Sequence, residues 1–191
     1  KIINHESSFK KLSKEFDLDK NNPILLYVGS GFKRKGVKEF LEIISRLENK
    51  NIKAFVIGKE NNLKYYQQLS KNLEIDKKVI FTGPRDDVDD FYTISDIFLF
   101  PTHYEPFGNV ILEAMSLNNA VFTTEQCGAH EVLNKEYIMV HSKDFSVVSK
   151  IDQLLKNTQE LDNIKRENQS KAVKLSIELN MQKTIEIINK A

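Results

Sequence analysis

The sequence predicts an α/β fold, in which helices cover both faces of a parallel sheet. Short apolar runs that end in glycine or proline alternate with segments whose apolar residues recur at helical spacing. Strands that alternate with helices of this length indicate a parallel sheet with both faces covered. The 191 residues are 40% hydrophobic and 29% charged, which is ordinary for one globular domain or one domain with an appended helix.

Six strand candidates follow one another in the first 145 residues. They are PILLYVG, IKAFVIG, KVIFTG, DIFLFPT, AVFTT and YIMV, at residues 23–29, 52–58, 78–83, 96–102, 120–124 and 137–140. Helices are predicted between them at residues 34–48, 63–73 and 87–95, after the EPFG stretch, and near residues 130–133. Six strands of this kind make a complete Rossmann-like domain over residues 21–145.

The two ends of the chain differ from this domain. Residues 1–20 form a polar segment that predicts a helix or a linker, and residues 146–191 carry only helical periodicity. We expect the C-terminal helices to pack on the domain or to reach another one. The chain begins at Lys1 without an initiator methionine, which favours excision from a longer protein.

Composition excludes several classes of protein. The formal net charge of +1 gives no overall field that would attract nucleic acid, so no nucleic-acid partner is expected. The single cysteine, Cys127, excludes an internal disulfide framework and suits the reducing cytoplasm. No apolar run approaches the roughly 18 residues of a membrane span, and no signal-peptide pattern opens the sequence.

The loop after the first strand, GSGFKRKG at residues 29–36, matches neither of two familiar nucleotide motifs. Arg34 occupies the place of the third glycine in a dinucleotide fingerprint. A P-loop would continue with Lys and then Ser or Thr, whereas Val37 follows Gly36 here. What remains is a flexible turn that delivers cations to the start of a helix.

Those cations are Lys33, Arg34 and Lys35. Positive charges are unusual before a first helical turn, because the helix dipole favours anions there. Arginine binds phosphate oxygens with two parallel hydrogen bonds, and lysine attracts them as a point charge. The loop therefore predicts an anionic ligand, with solvated surface charges as the alternative.

The loop after the fourth strand begins the stretch EPFGNVILE, which carries two glutamates eight positions apart. Pro106 suits a helix start, and Gly108 leaves the amides of Gly108 and Asn109 open to a phosphate. Glu113 would lie roughly 8 Å further along the helix axis, a separation that suits a ribose. Glu105 lies before the turn, where a sugar joined to the diphosphate would lie. Taken alone, two solvated glutamates are the alternative.

The whole series of loops resembles glycosyltransferase family 4, the retaining nucleotide-sugar enzymes of the GT-B fold. EPFGNVILE resembles the E-x7-E motif of that family, and VGSGFKRKG resembles its first donor loop. VIGKEN, VIFTGPRDDV, ISDIFLFPTHYE and AVFTTEQCGAHEVL follow in the expected order, so the resemblance covers residues 24–133. Within the family, the likeness is greatest to lipopolysaccharide core glucosyltransferases.

The resemblance implies the C-terminal, donor-binding half of a GT-B enzyme. Its partners would be a nucleoside-diphosphate sugar, with UDP the expected nucleotide, and an N-terminal acceptor-binding domain of the same full-length protein. The full-length enzyme would move a hexose to a glycan or glycolipid acceptor. It would lie in the cytoplasm, where peripheral association with the inner face of the membrane fits this role. The fragment alone is expected to transfer no sugar, and no metal ion or other cofactor is expected.

The resemblance also assigns the site residues. The catalytic group is Glu105, Arg34 and Lys35. The donor-binding group is Gly29, Ser30, Lys64, Arg85, Phe107, Gly108, Asn109, Val110 and Glu113.

Three positions depart from the family pattern. Ser30 stands where many members have an arginine, so phosphate neutralisation would shift to Arg34 and Lys35. Lys64 falls where the core glucosyltransferases carry another basic residue. The stretch CGAHE is shorter than the common G-G-x-x-E form, which leaves Glu131 without an assigned contact.

Four other features have competing interpretations. His103 is predicted to be solvated or structural, and Arg85 either meets the donor base or lies on the surface. The aspartates within residues 86–90 look like a metal site, but their spread over one helix start favours capping of that helix. Cys127 has no neighbouring base and is interpreted as a small packing residue.

Two other functions remain open from the sequence alone. A GT-B sugar-nucleotide epimerase would use the same donor without an acceptor. A non-catalytic nucleotide-sugar-binding module would retain the loops without turnover. The presence of both glutamates together with Arg34 and Lys35 argues against such a degenerate module.

Overall fold

The structure of the protein is a computed structural model that describes residues 4–175. The strands are β1 (Ile24–Val28), β2 (Lys53–Ile57), β3 (Val79–Gly83), β4 (Ile97–Phe100), β5 (Ala120–Thr124) and β6 (Ile138–Met139). The helices are α1 (His5–Phe16), α2 (Val37–Arg46), α3 (Leu63–Asn72), α4 (Val88–Ile94), α5 (Asn109–Ser116), α6 (Val147–Lys156) and α7 (Thr158–Lys174). Two 3₁₀ helices, Gly128–Val132 and Lys135–Tyr137, precede β6.

The six strands form one parallel sheet in the order β3-β2-β1-β4-β5-β6. In register, Leu25 of β1 lies opposite Ala54 of β2 on one side and Ile97 of β4 on the other. The strand order therefore reverses between β1 and β4. A crevice opens at the carboxyl ends of strands at such a reversal, which is where ligands bind in this architecture. The predicted α/β fold with a parallel sheet is confirmed.

The central strands are buried because helices cover them. Every residue of β4 is buried, and Tyr27, Phe98 and Phe100 form a line of aromatic rings across β1 and β4. Helix α2 packs against α3 and α6, α1 packs against α4, and α5 packs against α7. Within residues 4–175, no helix combines the length and the apolar character that a membrane crossing requires.

The C-terminal helices that the structure describes pack on the sheet domain. The Asn168 side chain donates to the backbone carbonyl of Asn119, which precedes β5. The carboxylate of Asp152 accepts from the backbone amide of Glu48, which follows the C-cap of α2. The predicted helical region continues to residue 191, but residues 176–191 lie outside the described residues, as do residues 1–3 of the predicted N-terminal segment.

Ion pairs connect α1 to the start of α4. The ammonium of Lys11 contacts Asp90 at 2.6 Å and also pairs with Asp87. The guanidinium of Arg85 pairs with Glu15 at 2.6 Å and with Asp87 at 2.8 Å. Asp87 occupies the N-cap position of α4, but its side chain makes no capping hydrogen bond. The predicted capping hydrogen bond is therefore absent at Asp87, because two neighbouring cations bind the same carboxylate, whereas Asp89 and Asp90 lie in the first turn, where acidic residues favour the helix dipole.

The loops after β1 and β4 approach each other closely at Gly36. This glycine has φ +79°, and a Cβ atom built on it would lie 1.8 Å from the carbonyl oxygen of Pro101. Gly31 has a similar φ of +76°, yet a Cβ atom there would meet nothing within 4 Å. The two glycines thus share a left-handed φ and differ in the space around them.

We expect Gly36→Ala to destabilise the protein by about 3 kcal/mol or more, because backbone strain adds to a clash with a neighbouring carbonyl. Gly31→Ala is the matched control and should cost only the strain, about 1–2 kcal/mol. Urea unfolding followed by circular dichroism measures both values. Equal losses in the two variants would contradict the proposed close contact.

The ion pairs of Asp87 predict a loss of stability in acid. The hydrogen bond from Arg85 holds the pKa of Asp87 well below its usual range. A carboxyl whose pKa is lower in the folded state stabilises the fold above its unfolded pKa, about 3.9, and this stabilisation declines as the pH falls further. We expect Asp87→Asn to lower the unfolding temperature at pH 7 and to reduce the further decrease below about pH 4.

The control is Asp86→Asn, since Asp86 is exposed and its side chain makes no hydrogen bond or ion pair with the described residues. Thermal unfolding between pH 7 and pH 3 should give the same curve for this variant as for the unchanged protein. An identical acid response in Asp87→Asn and Asp86→Asn would refute the assignment.

Candidate active site

The two loops that meet at the crevice are joined by hydrogen bonds. The amide of His103 donates to the carbonyl of Arg34 at 3.0 Å, and the hydroxyl of Thr102 donates to the same carbonyl at 3.3 Å. In return, the guanidinium of Arg34 donates to the carbonyl of Tyr104. The loop after β1 and the loop after β4 therefore form one surface.

Glu105 lies in this surface beside two of the predicted cations. Its Oε2 atom is 3.3 Å from Nζ of Lys35 and 3.5 Å from Nη1 of Arg34. That oxygen is buried and accepts no hydrogen bond from the described residues, so the two ion pairs provide its compensation. Lys35 also lies 5.6 Å from the ring centroid of Phe100. The structure thus brings together the three residues of the predicted catalytic group.

The N-terminus of α5 adjoins Glu105. Gly108 is the N-cap residue with φ +91°, and a Cβ atom there would lie 2.6 Å from Sγ of Cys127 and 3.5 Å from Cγ of Glu105. The amides of Gly108, Asn109 and Val110 have no acceptor within the part of the chain that the structure describes. Free amides and the positive end of a helix attract an anion. The helix start therefore has the free amides on which the phosphate prediction depends, and binding of a phosphate there stays a prediction.

Backbone hydrogen bonds connect the loop that contains Glu105 to the segment after β5. The amide of Glu105 donates to the carbonyl of Gln126 at 3.0 Å, and the amide of Gly128 donates back to Glu105 at 2.9 Å. Cys127 is fully buried beneath these contacts, and burial raises the pKa of its thiol. It is a packing residue, as predicted. A Cβ atom on Gly128 would lie 2.2 Å from the Pro106 carbonyl oxygen, so glycine is needed for this approach.

Glu113 lies exposed on α5 and is oriented by a tyrosine that the sequence analysis missed. The hydroxyl of Tyr92, on α4, donates to Oε2 of Glu113 at 3.2 Å. Burial, followed by the charge of Glu113, raises the pKa of Tyr92 well above its usual range, so this hydroxyl is protonated. The sequence around Tyr92 does not indicate this pairing, because its pattern predicts an ordinary surface helix.

The other predicted donor residues are distributed around the crevice. The amide of Gly29 donates to the Ile57 carbonyl at 2.8 Å, and the hydroxyl of Ser30 accepts from the Lys59 amide at 3.0 Å. Phe107 and Asn109 are exposed. Together with Glu113 they line a cavity of 700 Å³ beside the end of α7. Val110 is half-buried and packs against the core.

Two basic residues lie apart from this group. Lys64 is exposed in the first turn of α3, and its side chain makes no ion pair or hydrogen bond with the described residues. The guanidinium of Arg85 donates four hydrogen bonds, two to the carboxylate of Glu15 and two to that of Asp87. In this structure Arg85 therefore connects α1 to α4, and a contact with the donor base stays a prediction.

The structure also reveals a histidine contact that the sequence did not indicate. Nε2 of His103 lies 3.1 Å from a carboxylate oxygen of Glu39, which is almost fully buried in α2. Nδ1 of the same ring lies 3.0 Å from the hydroxyl of Ser142. Of the two predicted interpretations of His103, the structural one agrees with these contacts. Among residues 4–175, no three His, Cys, Asp or Glu side chains converge as metal ligands.

Comparison with known proteins identifies the family. The family model described as glycosyl transferases group 1 matches residues 8–174. Lipopolysaccharide glucosyltransferase WaaG of Escherichia coli (strain K12) is 34% identical over 127 residues, which cover 64% of this chain and 34% of that protein. The capsular polysaccharide biosynthesis glycosyltransferase CapM of Staphylococcus aureus is 34% identical over 145 residues, which cover 71% of this chain and 37% of that protein. This chain spans about a third of the length of these relatives.

The fold agrees with that match. The crystal structure of the Anabaena protein Alr3699/HepE in complex with UDP-glucose superimposes with a TM-score of 0.83 at 19% identity. The superposition covers 97% of this chain and 53% of that one. Because the family model matches most of the chain, the protein belongs to the glycosyl transferases group 1 family, as the E-x7-E motif and its neighbouring loops predicted.

Proposed function

We propose that the protein is the donor-binding half of a retaining glycosyltransferase that uses a nucleoside-diphosphate hexose, with UDP as the nucleotide. The observation that carries the proposal is the position of Glu105, paired with Arg34 and Lys35 beside the free amides of α5. This arrangement supports the proposal, because a carboxylate suited to sugar hydroxyls adjoins cations suited to phosphate. The Anabaena protein that shares the fold was solved with UDP-glucose, which supports a UDP-sugar as the donor.

The diphosphate would occupy the N-terminus of α5. There the amides of Gly108 and Asn109 donate to its oxygens, and Arg34 and Lys35 neutralise its charge. In the present structure Glu105 balances these two cations. A bound diphosphate would take over their charge, and Glu105 would turn to the hydroxyls of the hexose. No metal ion or other cofactor is needed to balance the leaving group in this arrangement.

The ribose would lie at Glu113, whose carboxylate accepts hydrogen bonds from the two ribose hydroxyls. One of its oxygens already accepts from Tyr92, which limits the rotation of the side chain. A carboxylate with a restricted rotamer loses less conformational entropy on binding. Tyr92 is thus proposed as the residue that positions Glu113.

In the transfer step, the bond between the anomeric carbon and the diphosphate oxygen breaks as an acceptor hydroxyl attacks from the same face. The acceptor proton passes to the departing phosphate oxygen, and the configuration of the sugar is retained. The acceptor, a glycan or glycolipid, would bind the N-terminal domain of the full-length protein. We therefore propose that this fragment binds the donor but transfers no sugar, and that the full-length enzyme works in the cytoplasm at the membrane surface.

The two glutamates should respond differently to mutation. We expect Glu113→Ala to weaken UDP and UDP-glucose alike by roughly tenfold to a hundredfold, the effect of losing hydrogen bonds to a charged group. Glu105→Ala should not weaken UDP, because its removal frees Arg34 and Lys35, but should abolish the preference for the sugar-bearing donor. Titration calorimetry with both ligands measures these affinities.

Asp162→Ala removes the same charge from the exposed face of α7 and is the control for general electrostatics. It should leave both affinities unchanged. If Glu105→Ala weakened UDP as much as Glu113→Ala did, the ligand would not lie across this helix start.

Donor binding should survive removal of divalent metal ions. Asp87 and Asp90 pair with Lys11, so a metal ion at the aspartates would have to displace existing ion pairs. UDP affinity measured in EDTA and in MgCl₂ or MnCl₂ should therefore agree. The result that would contradict this is a loss of UDP binding in EDTA that Mn²⁺ reverses. If Mn²⁺ no longer restored binding in the Asp87→Asn variant, the aspartates would be assigned a metal role.

A further inference from the structure

The side chain of Tyr27 ends in a buried hydroxyl that has no hydrogen-bond partner among the described residues. Tyr27 is the fourth residue of β1 and is fully buried, two residues before Gly29. Its ring packs against Phe40 of α2, with centroids 5.7 Å apart, and stacks on Phe100 of β4 at 5.6 Å. These aromatic contacts fix the position of the hydroxyl.

The hydroxyl lies beside the loop after β1, next to Gly29 and Lys35. A Cβ atom built on Gly29 would lie 3.3 Å from the Tyr27 oxygen and 3.0 Å from Cδ of Lys35. The oxygen and the methylene chain of the lysine therefore face the same space, next to a residue that has no side chain. The ammonium of Lys35 pairs with Glu105. The hydroxyl of Tyr27 thus adjoins one of the cations of the candidate active site.

Packing alone does not explain this hydroxyl. A buried polar group that makes no hydrogen bond is unfavourable, because it has lost its bonds to water. A phenylalanine would fill the same aromatic space without that cost. Oε2 of Glu105, which belongs to the predicted catalytic group, is likewise buried without a hydrogen bond from the described residues. Both atoms lie where the loops after β1 and β4 meet, which indicates a ligand that supplies the absent hydrogen bonds.

The hydroxyl of Tyr27 is able to donate a proton to such a ligand. Burial, followed by the neighbouring Tyr66, raises the pKa of Tyr27 well above its usual range, although the charge of Arg34 acts in the opposite direction. The hydroxyl therefore keeps its proton at neutral pH. Hydrogen bonds to an anionic oxygen are stronger than those to a neutral one, so a phosphate oxygen is a suitable acceptor.

The position of Tyr27 selects one of the two phosphates. In the proposed binding mode the ribose lies at Glu113 and the hexose at Glu105, at opposite ends of the diphosphate. The hydroxyl of Tyr27 adjoins Lys35, whose ammonium is 3.3 Å from Glu105. Tyr27 therefore lies at the hexose end, beside the phosphate that carries the bond to the sugar.

We propose that Tyr27 donates a hydrogen bond to the hexose-bearing phosphate of the donor, in the space between Gly29 and Lys35. The methylene chain of Lys35 moves aside as its ammonium leaves Glu105 for the diphosphate. The hydrogen bond then stabilises the negative charge that develops on this phosphate as the sugar departs. The identity of the ligand rests on the proposed function, whereas the contact with phosphate can be measured with pyrophosphate alone.

Tyr27→Phe removes only the hydroxyl and is the main test. We expect UDP and pyrophosphate to bind this variant about tenfold more weakly, the effect of losing one hydrogen bond to a charged group. UMP, which lacks the second phosphate, should bind as before. Titration calorimetry measures the three affinities. The unfolding temperature of the variant without ligand should equal or exceed that of the unchanged protein, because an unpaired buried group has been removed.

Ser13→Ala is the matched control. The hydroxyl of Ser13 is also buried without a hydrogen-bond partner in the part of the chain that the structure describes, and it lies on α1, which packs against α4. Its removal should leave the affinities for UDP, pyrophosphate and UMP unchanged.

Gly29→Ala tests the space beside the hydroxyl. It adds a methyl group 3.3 Å from the Tyr27 oxygen, at a glycine whose φ is not left-handed, so the backbone is not strained. This variant should weaken UDP but not UMP. The double variant with Tyr27→Phe should bind UDP no more weakly than the worse of the two single variants, because both changes remove the same contact.

Two results would overturn the inference: unchanged affinities for UDP and pyrophosphate in Tyr27→Phe, or an equal loss for UMP. Unchanged affinities with a lower unfolding temperature would assign the hydroxyl to the fold. Failure of the proposed function is recognised separately. If the unchanged protein bound pyrophosphate but not UDP, and Tyr27→Phe weakened pyrophosphate, only the nucleotide would be wrong. If it bound neither, both proposals would fail.

Discussion

The contact between the loops after β1 and β4 is the constraint on which the site depends. Gly36 approaches the carbonyl of Pro101 so closely that no other residue fits without movement of the backbone. That approach occurs where the strand order reverses, at the carboxyl ends of two buried strands. It brings Arg34 and Lys35, from one loop, to Glu105 on the other. Without this contact the charges would belong to separate surface loops.

The ion pairs of Glu105 have a physical reason beyond their proposed role. A carboxylate oxygen that is removed from water is destabilised unless an opposite charge compensates it. Lys35 and Arg34 supply this compensation. A diphosphate at the start of α5 would compete for the same cations, so in the proposed function donor binding and the orientation of Glu105 would be coupled by electrostatics.

A different set of charges serves the fold. Arg85, Asp87 and Lys11 connect α1 to α4 on the face away from α2, and their partners are all within the described chain. Arg34, Lys35 and Glu105 form a separate set at the carboxyl ends of β1 and β4. Packing therefore divides the charged residues into one set that connects two helices and another beside the start of α5, a division that the sequence does not indicate.

Much of the fold and part of the site follow from the sequence. Apolar runs, glycine-terminated strands and helical periodicity determine the parallel sheet, because burial of apolar faces leaves few other arrangements. The stretch EPFGNVILE locates the helix start, because proline and glycine restrict the local backbone. These features are local, so a single sequence is enough to predict them.

Only the tertiary structure decided how distant side chains pair. Tyr92 contacts Glu113 from 21 residues away, and Lys11 contacts Asp87 across 76 residues. Asp87 has the residue type and position of a helix cap, yet it binds two cations that packing brings close. His103 likewise meets a buried glutamate on another helix. Such pairings depend on the distances between elements, which the order of residues along the chain does not specify.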